Sequence, residues 1–183
     1  MMQTMLRTKT LASRRQFAGK ILSLRVDTIQ IADHTPVERE IVEHPGSVVI
    51  VPVTDRSTVL MVRQWRHPAN EELLEAPAGH IDPGETPEAA AQRELQEETG
   101  HIAGRLIKMS EFWIAPGWCT EYMHAYLALG LSASRLEQDV DEDVGVEEVP
   151  LERVPALISS GAIRDAKSIG TLLMASYLCK DRK

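Results

Sequence analysis

The sequence predicts an α/β (α+β) fold in which several short strands precede a well-capped helix. Three observations predict it. Apolar and polar residues alternate between Gly19 and about His44, as they do in half-buried strands. Residues 47–53 are β-branched and almost wholly apolar, which is typical of a buried strand. Residues 86–100 carry the end signals of a helix.

Length and composition restrict the class of protein. The 183 residues are enough for one domain with a buried core. The net charge of −7 argues against nucleic-acid binding, which favours a basic surface. No apolar stretch is long enough to span a membrane, and the basic N-terminus lacks the apolar core of a secretory signal. Cys119 and Cys179 are too few for a disulfide framework, so we expect thiols in a reducing compartment, the cytoplasm.

The N-terminal third is predicted to contain an arm and then strands. Residues 1–16 show no apolar pattern, and we expect a disordered arm. Residues 17–44 form an N-terminal antiparallel β segment with strands in ILSLRVDTIQIAD and VEREIVEH. After the turn at Pro45-Gly46, the main domain, 45–183, opens with the buried strand 47–53. Thr58–Val62 is its expected hairpin partner, with the turn at 55–57.

The clearest helix begins after Thr86. Thr86 suits the N-cap, Pro87 the first helical position and Gly100 the residue that ends the helix. Strands near Leu106–Met109 and Tyr122–Ala128 follow, and then an acidic loop, EQDVDEDVGVEE. Two helices, 151–159 and 165–179, are expected to complete the chain.

The predicted helix carries a cluster of carboxylates. At about 100° per residue, Glu97 and Glu98 lie at about −60° and +40° from Glu94, so the three share one face. Like charges at this spacing destabilise a helix unless a cation compensates them. Convergent carboxylates suit Mg²⁺, which prefers oxygen ligands. Arg93 can reach Glu97 along the helix and Glu85 across the loop. Taken alone, RELQEE is better explained as a solvated acidic face laced with Arg93.

The wider pattern resembles the Nudix box: Gly, five residues, Glu, seven residues, Arg-Glu, an aliphatic residue, any residue, Glu-Glu, any residue, Gly and an aliphatic residue. Eight positions match within 22 residues. They are Gly79, Glu85, Arg93, Glu94, Leu95, Glu97, Glu98 and Gly100. The one departure is His101 in place of the final aliphatic residue.

This resemblance implies a Nudix α/β/α sandwich with a mixed sheet, in which the box presents metal ions to a diphosphate. It assigns metal binding to Glu94, Glu97 and Glu98, and to the backbone carbonyl of Ala78. The implied cofactor is Mg²⁺, with Mn²⁺ as a substitute. Bound metal would neutralise the diphosphate and activate a water that attacks phosphorus.

The segments flanking the box resemble one subgroup, the ADP-ribose pyrophosphatases. Pro116 lies sixteen residues beyond Gly100, a spacing associated with that subgroup. Residues 62–68, 74–85 and 161–173 resemble its pre-box strands and C-terminal helix. The likeness implies a Mg²⁺-dependent hydrolase that splits ADP-ribose, or a related nucleoside diphosphate sugar, into AMP and a sugar phosphate.

Several substrate contacts follow from this resemblance. Arg39 and Arg66 match substrate-binding arginines, and a guanidinium suits a diphosphate, although a surface ion pair explains each about equally well. His80 is placed for a contact, Gly117 allows close backbone approach, and Glu121 is placed to accept from a ribose hydroxyl or is simply a loop carboxylate. Residues 17–44 resemble the strands of a homodimer with shared active sites, in which Arg39 would reach the partner's site.

The acidic loop is expected to supply one more catalytic carboxylate. Glu142 is the first choice, as metal ligand or general base. Asp141 and Asp143 are alternatives, and Val140 aligns where some relatives have a catalytic Glu. A solvated loop explains any single one of these residues equally well.

Two other functions stay open. One keeps the fold and changes the substrate to a GDP-sugar or a dinucleoside polyphosphate. The other is a silent Nudix module that senses a nucleotide, although silent modules are expected to lose box glutamates and this chain keeps them.

Overall fold

A computed structural model describes residues 8–32, 34–136 and 144–180. The chain divides into two compact units. Within the described ranges, the first unit comprises residues 8–46 and 113–122, and the second comprises residues 47–112 and 123–180.

The helices and strands follow in chain order. The strands are β1 (Thr8–Ala18), β2 (Ser23–Ile31), β3 (Val37–Glu43), β4 (Ser47–Pro52), β5 (Thr58–Arg66), β6 (Glu71–Glu75), β7 (Ala78–His80), β8 (His101–Trp113), β9 (Tyr122–Ala133) and β10 (Val144–Pro150). The helices are α1 (Pro87–Thr99), α2 (Val154–Ser159) and α3 (Ala166–Lys180), with a 3₁₀ turn at Leu151–Arg153 before α2.

In the first unit, β1, β2 and β3 form an antiparallel sheet in that order. The predicted strands β2 and β3 are confirmed. The expected arm over 1–16 is wrong from Thr8 onward, because this segment pairs with β2 along its length. Its eleven residues are all exposed, so it lacks the apolar pattern that would have revealed it. Backbone pairing supports this strand, together with a cross-strand pair in which Arg14 Nη1 lies 2.6 Å from Glu38 Oε1.

In the second unit, β4 is the central strand of a mixed sheet with the order β7-β4-β9-β8. It runs parallel to β9 and antiparallel to β7, and all six of its residues are buried. Val48 and Ile50 pack against α1, whereas Val51 packs in the cluster that includes Leu172 of α3. Helices therefore cover both faces of β4, which confirms the predicted α/β/α sandwich.

The expected hairpin between β4 and β5 does not form. The turn exists, with Ser57 at φ 59°, but only an isolated bridge, Val53 to Val59, joins the two strands. β5 instead lies between β10 and β6 in a second, antiparallel sheet. The physical reason is that β7 and β9 already occupy the two edges of β4.

The end signals of α1 are confirmed. The Thr86 hydroxyl accepts a hydrogen bond from the Ala89 backbone N–H at 3.2 Å, and Gly100 adopts the left-handed conformation at φ 71°. The two C-terminal helices lie where predicted, and β8 and β9 extend beyond their predicted ends. Among the described residues, no helix is both long and apolar enough to cross a membrane.

Candidate active site

The predicted carboxylate face of α1 points into the second unit rather than into solvent. Glu94 is 6% exposed and Glu98 is 2% exposed, and Glu97 is half-buried. Burying a carboxylate is costly unless hydrogen bonds or cations compensate the charge. The interpretation of RELQEE as a solvated acidic face is therefore wrong for Glu94 and Glu98.

Arg93 supplies the compensating charge. Its Nη1 lies 2.6 Å from Glu94 Oε1 and 3.0 Å from Glu97 Oε2. Its Nε and Nη2 donate to the two oxygens of Glu85 at 3.1 and 3.0 Å, and Nη2 also donates to the His80 carbonyl at 2.9 Å. The bonds to Glu85, followed by the attraction of the other carboxylates, raise the pKa of Arg93 despite its burial. The predicted reach of Arg93 to Glu97 and Glu85 is confirmed.

The segment before the helix is bound to the same cluster. The Ala78 N–H donates to Glu98 Oε2 at 3.0 Å, and β7 places Gly79 directly beneath the Glu94 carboxylate. A Cβ at Gly79 would overlap that carboxylate. Glycine is therefore required here for close approach.

Substitution of Gly79 by alanine is expected to displace Glu94 while keeping the fold. The overlap involves the flexible end of a side chain, so Glu94 can swing away. We expect the turnover number for the expected diphosphate hydrolysis to fall by about 10–100-fold, which is typical when a group that orients a metal ligand is changed. The urea midpoint should fall modestly, because the displaced Glu94 also loses its contact with Arg93. Gly170→Ala is the matched control, since its Cβ would meet nothing within 4 Å. Full activity in Gly79→Ala would contradict this role for Glu94.

A second charged group lies beside the box. Arg66 Nε and Nη2 lie 2.9 and 2.5 Å from Glu75 Oε2, and Lys167 Nζ lies 3.3 Å from the same oxygen. Lys167 also contacts Asp165 Oδ1 at 2.9 Å. Burial lowers the pKa of Arg66, but the bond to Glu75 and the attraction of Glu75, Glu98 and Asp165 together raise it.

Sequence reasoning identified only one member of this charge group, Arg66. Arg66 was expected to contact substrate or to form an ion pair, and the structure gives it an ion-pair partner, Glu75. Glu75, Lys167 and Asp165 were not singled out. A signal existed in LLEAPAG, where one acidic residue interrupts an apolar run, because a buried carboxylate requires a cation.

The other predicted contacts are spread over the chain. In the second unit, the His80 ring lies 3.2 Å from Asp82 through Nε2 and Oδ1. Arg39, Gly117 and Glu121 belong to the first unit. There Arg39 Nη1 donates to the Glu38 carbonyl at 3.0 Å. Their contact with substrate stays a prediction. Glu142 and its alternatives Val140, Asp141 and Asp143 lie outside the described residues.

The donor set fits a hard divalent cation. Glu94, Glu97 and Glu98 offer carboxylate oxygens, and the Ala78 carbonyl offers one more, which is the ligand chemistry that Mg²⁺ prefers. Within the part of the chain that the structure describes, no three His, Cys, Asp or Glu side chains already surround a single point. Arg93 contacts Glu94 and Glu97, so a cation would compete with its guanidinium for them.

Known proteins resemble this chain over most of its length. A family model described as the NUDIX domain matches residues 43–170. An ADP-ribose pyrophosphatase of Bacillus subtilis (strain 168) is 41% identical over 89% of this chain and 89% of its own. A methanol dehydrogenase activator of Bacillus methanolicus is 34% identical over 93% and 91%.

Two further proteins are similar to this chain. A GDP-mannose pyrophosphatase of Citrobacter koseri is 35% identical over 73% of this chain and 72% of its own. The crystal structure of an ADP compounds hydrolase superposes with a TM-score of 0.88 over 98% of both chains. Its identity is 22%, so it supports the fold alone.

Proposed function

The chain belongs to the Nudix family of pyrophosphohydrolases, and from that premise we propose that it hydrolyses the pyrophosphate bond of ADP-ribose or a related nucleoside diphosphate sugar. The products would be AMP and a sugar phosphate. One observation carries the proposal: two buried carboxylates, Glu94 and Glu98, are held on one helix face by Arg93 and by the Ala78 N–H. A buried acidic face of this kind suits a reaction at a metal-bound diphosphate.

The proposed cofactor is Mg²⁺, with Mn²⁺ as a substitute. Glu94, Glu97, Glu98 and the Ala78 carbonyl would hold it. When bound, it supplies charge neutralisation at the diphosphate and a water of lowered pKa. Arg93 compensates the charge of Glu94 and Glu97 and orients their side chains, and the Gly79 backbone leaves room for Glu94. Glu142 is the proposed further carboxylate, as ligand or general base.

The substrate contacts form part of the same proposal. The Arg66 side chain is 36% exposed and is attracted electrostatically by Glu98. Arg66 is therefore suited to bind a phosphate that enters beside the box. His80 lies within the box, at the end of β7. Arg39, Gly117 and Glu121 are proposed to bind the remainder of the nucleotide.

We propose a homodimer formed through the first unit. Its support is the resemblance of residues 17–44 to the dimer strands of the subgroup, and the large apolar side chains that the sheet and its turns expose. They are Leu11, Phe17, Ile21, Leu22 and Val37. A cytoplasmic location stays a prediction, supported by Cys119 and Cys179, which form no disulfide within the described residues.

A GDP-sugar is the second candidate substrate. The observation that favours it is the 35% identity to a GDP-mannose pyrophosphatase. The same carboxylates and the same arginine would serve either substrate, because both contain a diphosphate. The residues that bind the base and the sugar must therefore distinguish them. The complete set of box glutamates favours an enzyme over a silent nucleotide sensor.

Incubation with a substrate panel tests the proposal. The protein is mixed with ADP-ribose, GDP-mannose or a dinucleoside polyphosphate in Mg²⁺, in Mn²⁺ or in a chelator, and the products are identified by mass spectrometry. We expect AMP and ribose 5-phosphate from ADP-ribose, formed only with metal. If GMP is released from GDP-mannose faster than AMP is released from ADP-ribose, a GDP-sugar becomes the proposed substrate. Binding of ADP-ribose without products would refute hydrolysis.

A further inference from the structure

A charge group outside the box consists of four residues, Arg66, Glu75, Asp165 and Lys167. Its centre is a single atom, Glu75 Oε2, which both Arg66 and Lys167 contact. The Glu75 side chain is 3% exposed. A carboxylate buried to this degree is strongly destabilising if it loses its last cation.

The two cations of this group differ in their access to solvent. The Arg66 side chain is 36% exposed, whereas that of Lys167 is 15% exposed and is also tied to Asp165. Arg66 can therefore turn outward toward an anion, but Lys167 is confined beside Glu75. The attraction between Arg66 and Glu98 places the arginine near the box.

The helix that carries Lys167 is fixed to the same segment. The Ala76 N–H donates to Ser168 Oγ at 2.7 Å in a buried hydrogen bond, and Asp165 Oδ1 accepts from the Ser168 N–H at 3.0 Å at the start of α3. The Lys167 ammonium is thus held by rigid elements on both sides. None of these contacts involves Arg66.

We propose that Lys167 is a positioning residue that keeps Glu75 neutralised while Arg66 leaves it to bind the substrate diphosphate. Without Lys167, Arg66 would be the one cation, among the described residues, that contacts the buried carboxylate of Glu75. Arg66 would therefore be held at Glu75. Arg66 would then bind the incoming phosphate less well. The nature of the anion rests on the proposed function, whereas the sharing of Glu75 does not.

The sharing is tested without nucleotide, by urea unfolding of Arg66→Met, Lys167→Met and the double variant. We expect each single variant to lower the midpoint modestly and the double variant to lower it by more than the sum, because only then is Glu75 left without a cation. Addition of Glu75→Gln to the double variant should recover most of the loss. Additive midpoints, or a triple variant as unstable as the double one, would overturn the proposal.

The consequence for binding is tested by steady-state kinetics on whichever diphosphate the protein hydrolyses. Lys167→Met should raise KM about tenfold with kcat changed less than about twofold, because uniform binding is lost and the chemical step is kept. Lys167→Arg should restore most of the KM. Lys108→Met, which removes an exposed lysine from its pair with Glu111, is the matched control and should leave both constants unchanged.

These kinetics separate positioning from mere support. A lower kcat at unchanged KM in Lys167→Met, or no rescue by arginine, would overturn the proposal. If no diphosphate is hydrolysed but the unfolding midpoints are non-additive, then the proposed function fails and the shared counter-charge on Glu75 remains.

Discussion

Replacement of Glu98 by glutamine is expected to abolish most hydrolysis and to leave the fold intact. The glutamine side chain would keep an oxygen that can accept from the Ala78 N–H, so the 3.0 Å hydrogen bond can persist. The negative charge that would bind the cation is lost. Metal ions contribute several kcal/mol to transition states of this type, so we expect turnover to fall by about a hundredfold to a thousandfold.

The measurement is the rate of AMP release from ADP-ribose at saturating Mg²⁺, beside a urea unfolding curve of the same preparation. Glu72→Gln is the matched control, because Glu72 is an exposed glutamate of β6 outside the cluster. Its rate should equal that of the unchanged protein. Undiminished turnover in both Glu98→Gln and Glu97→Gln would show that the box carboxylates do not carry the reaction.

Among the single substitutions, replacement of Arg93 by methionine is expected to lower the free energy of unfolding most. The change removes the cation shared by Glu85, Glu94 and Glu97 while keeping an apolar side chain of similar length. Removal of one partner from a buried ion pair costs about 3–5 kcal/mol, because the remaining charge is left uncompensated. Mg²⁺ should stabilise Arg93→Met more than the unchanged protein, since a cation would replace the lost charge.

Urea unfolding with and without Mg²⁺ measures both effects. Arg56→Met is the control, because its pair with Glu148 is exposed and such pairs contribute little. A loss in Arg93→Met no greater than that in Arg56→Met would rule out the central role of Arg93 in the cluster.

The difference in stability between the unchanged protein and Arg93→Met is expected to depend on pH. Hydrogen bonds from Arg93 hold the pKa of Glu85 below its ordinary value of 4.5. A carboxylate with a lowered pKa in the folded state stabilises the protein above its unfolded pKa, and this contribution is lost as the pH falls through the folded pKa. The advantage of the unchanged protein over Arg93→Met should therefore be full at about pH 7 and should narrow below about pH 4.5.

The sequence predicted α1 and its charge cluster well because their determinants are local. Thr86 and Gly100 cap the helix through their own backbone neighbourhood, and the spacing of Glu94, Glu97 and Glu98 fixes their shared face. Arg93 reaches Glu97 one turn away and Glu85 across a short loop. Short-range geometry of this kind can be read from the chain.

The sequence did not predict the strands and strand pairings that depend on non-local contacts. β1 carries no buried side chain, so only its pairing with β2 makes it a strand. β4 and β5 are joined by a tight turn, yet β7 and β9 occupy the edges of β4 and leave β5 to a different sheet. Which edge of a strand is free depends on the whole sheet, and the two strands themselves carry no signal of it.

The sequence by itself determined the family, the capped helix and the carboxylates that converge on its face, because the fixed spacing of the box encodes them. Only the tertiary structure decided that Glu94 and Glu98 are buried, that Gly79 lies against Glu94, and that Arg66 shares Glu75 with Lys167. The physical reason is separation along the chain. β5, β6 and α3 bring this charge group together from distant positions, and charges that meet only in the folded protein leave no local periodicity in its sequence.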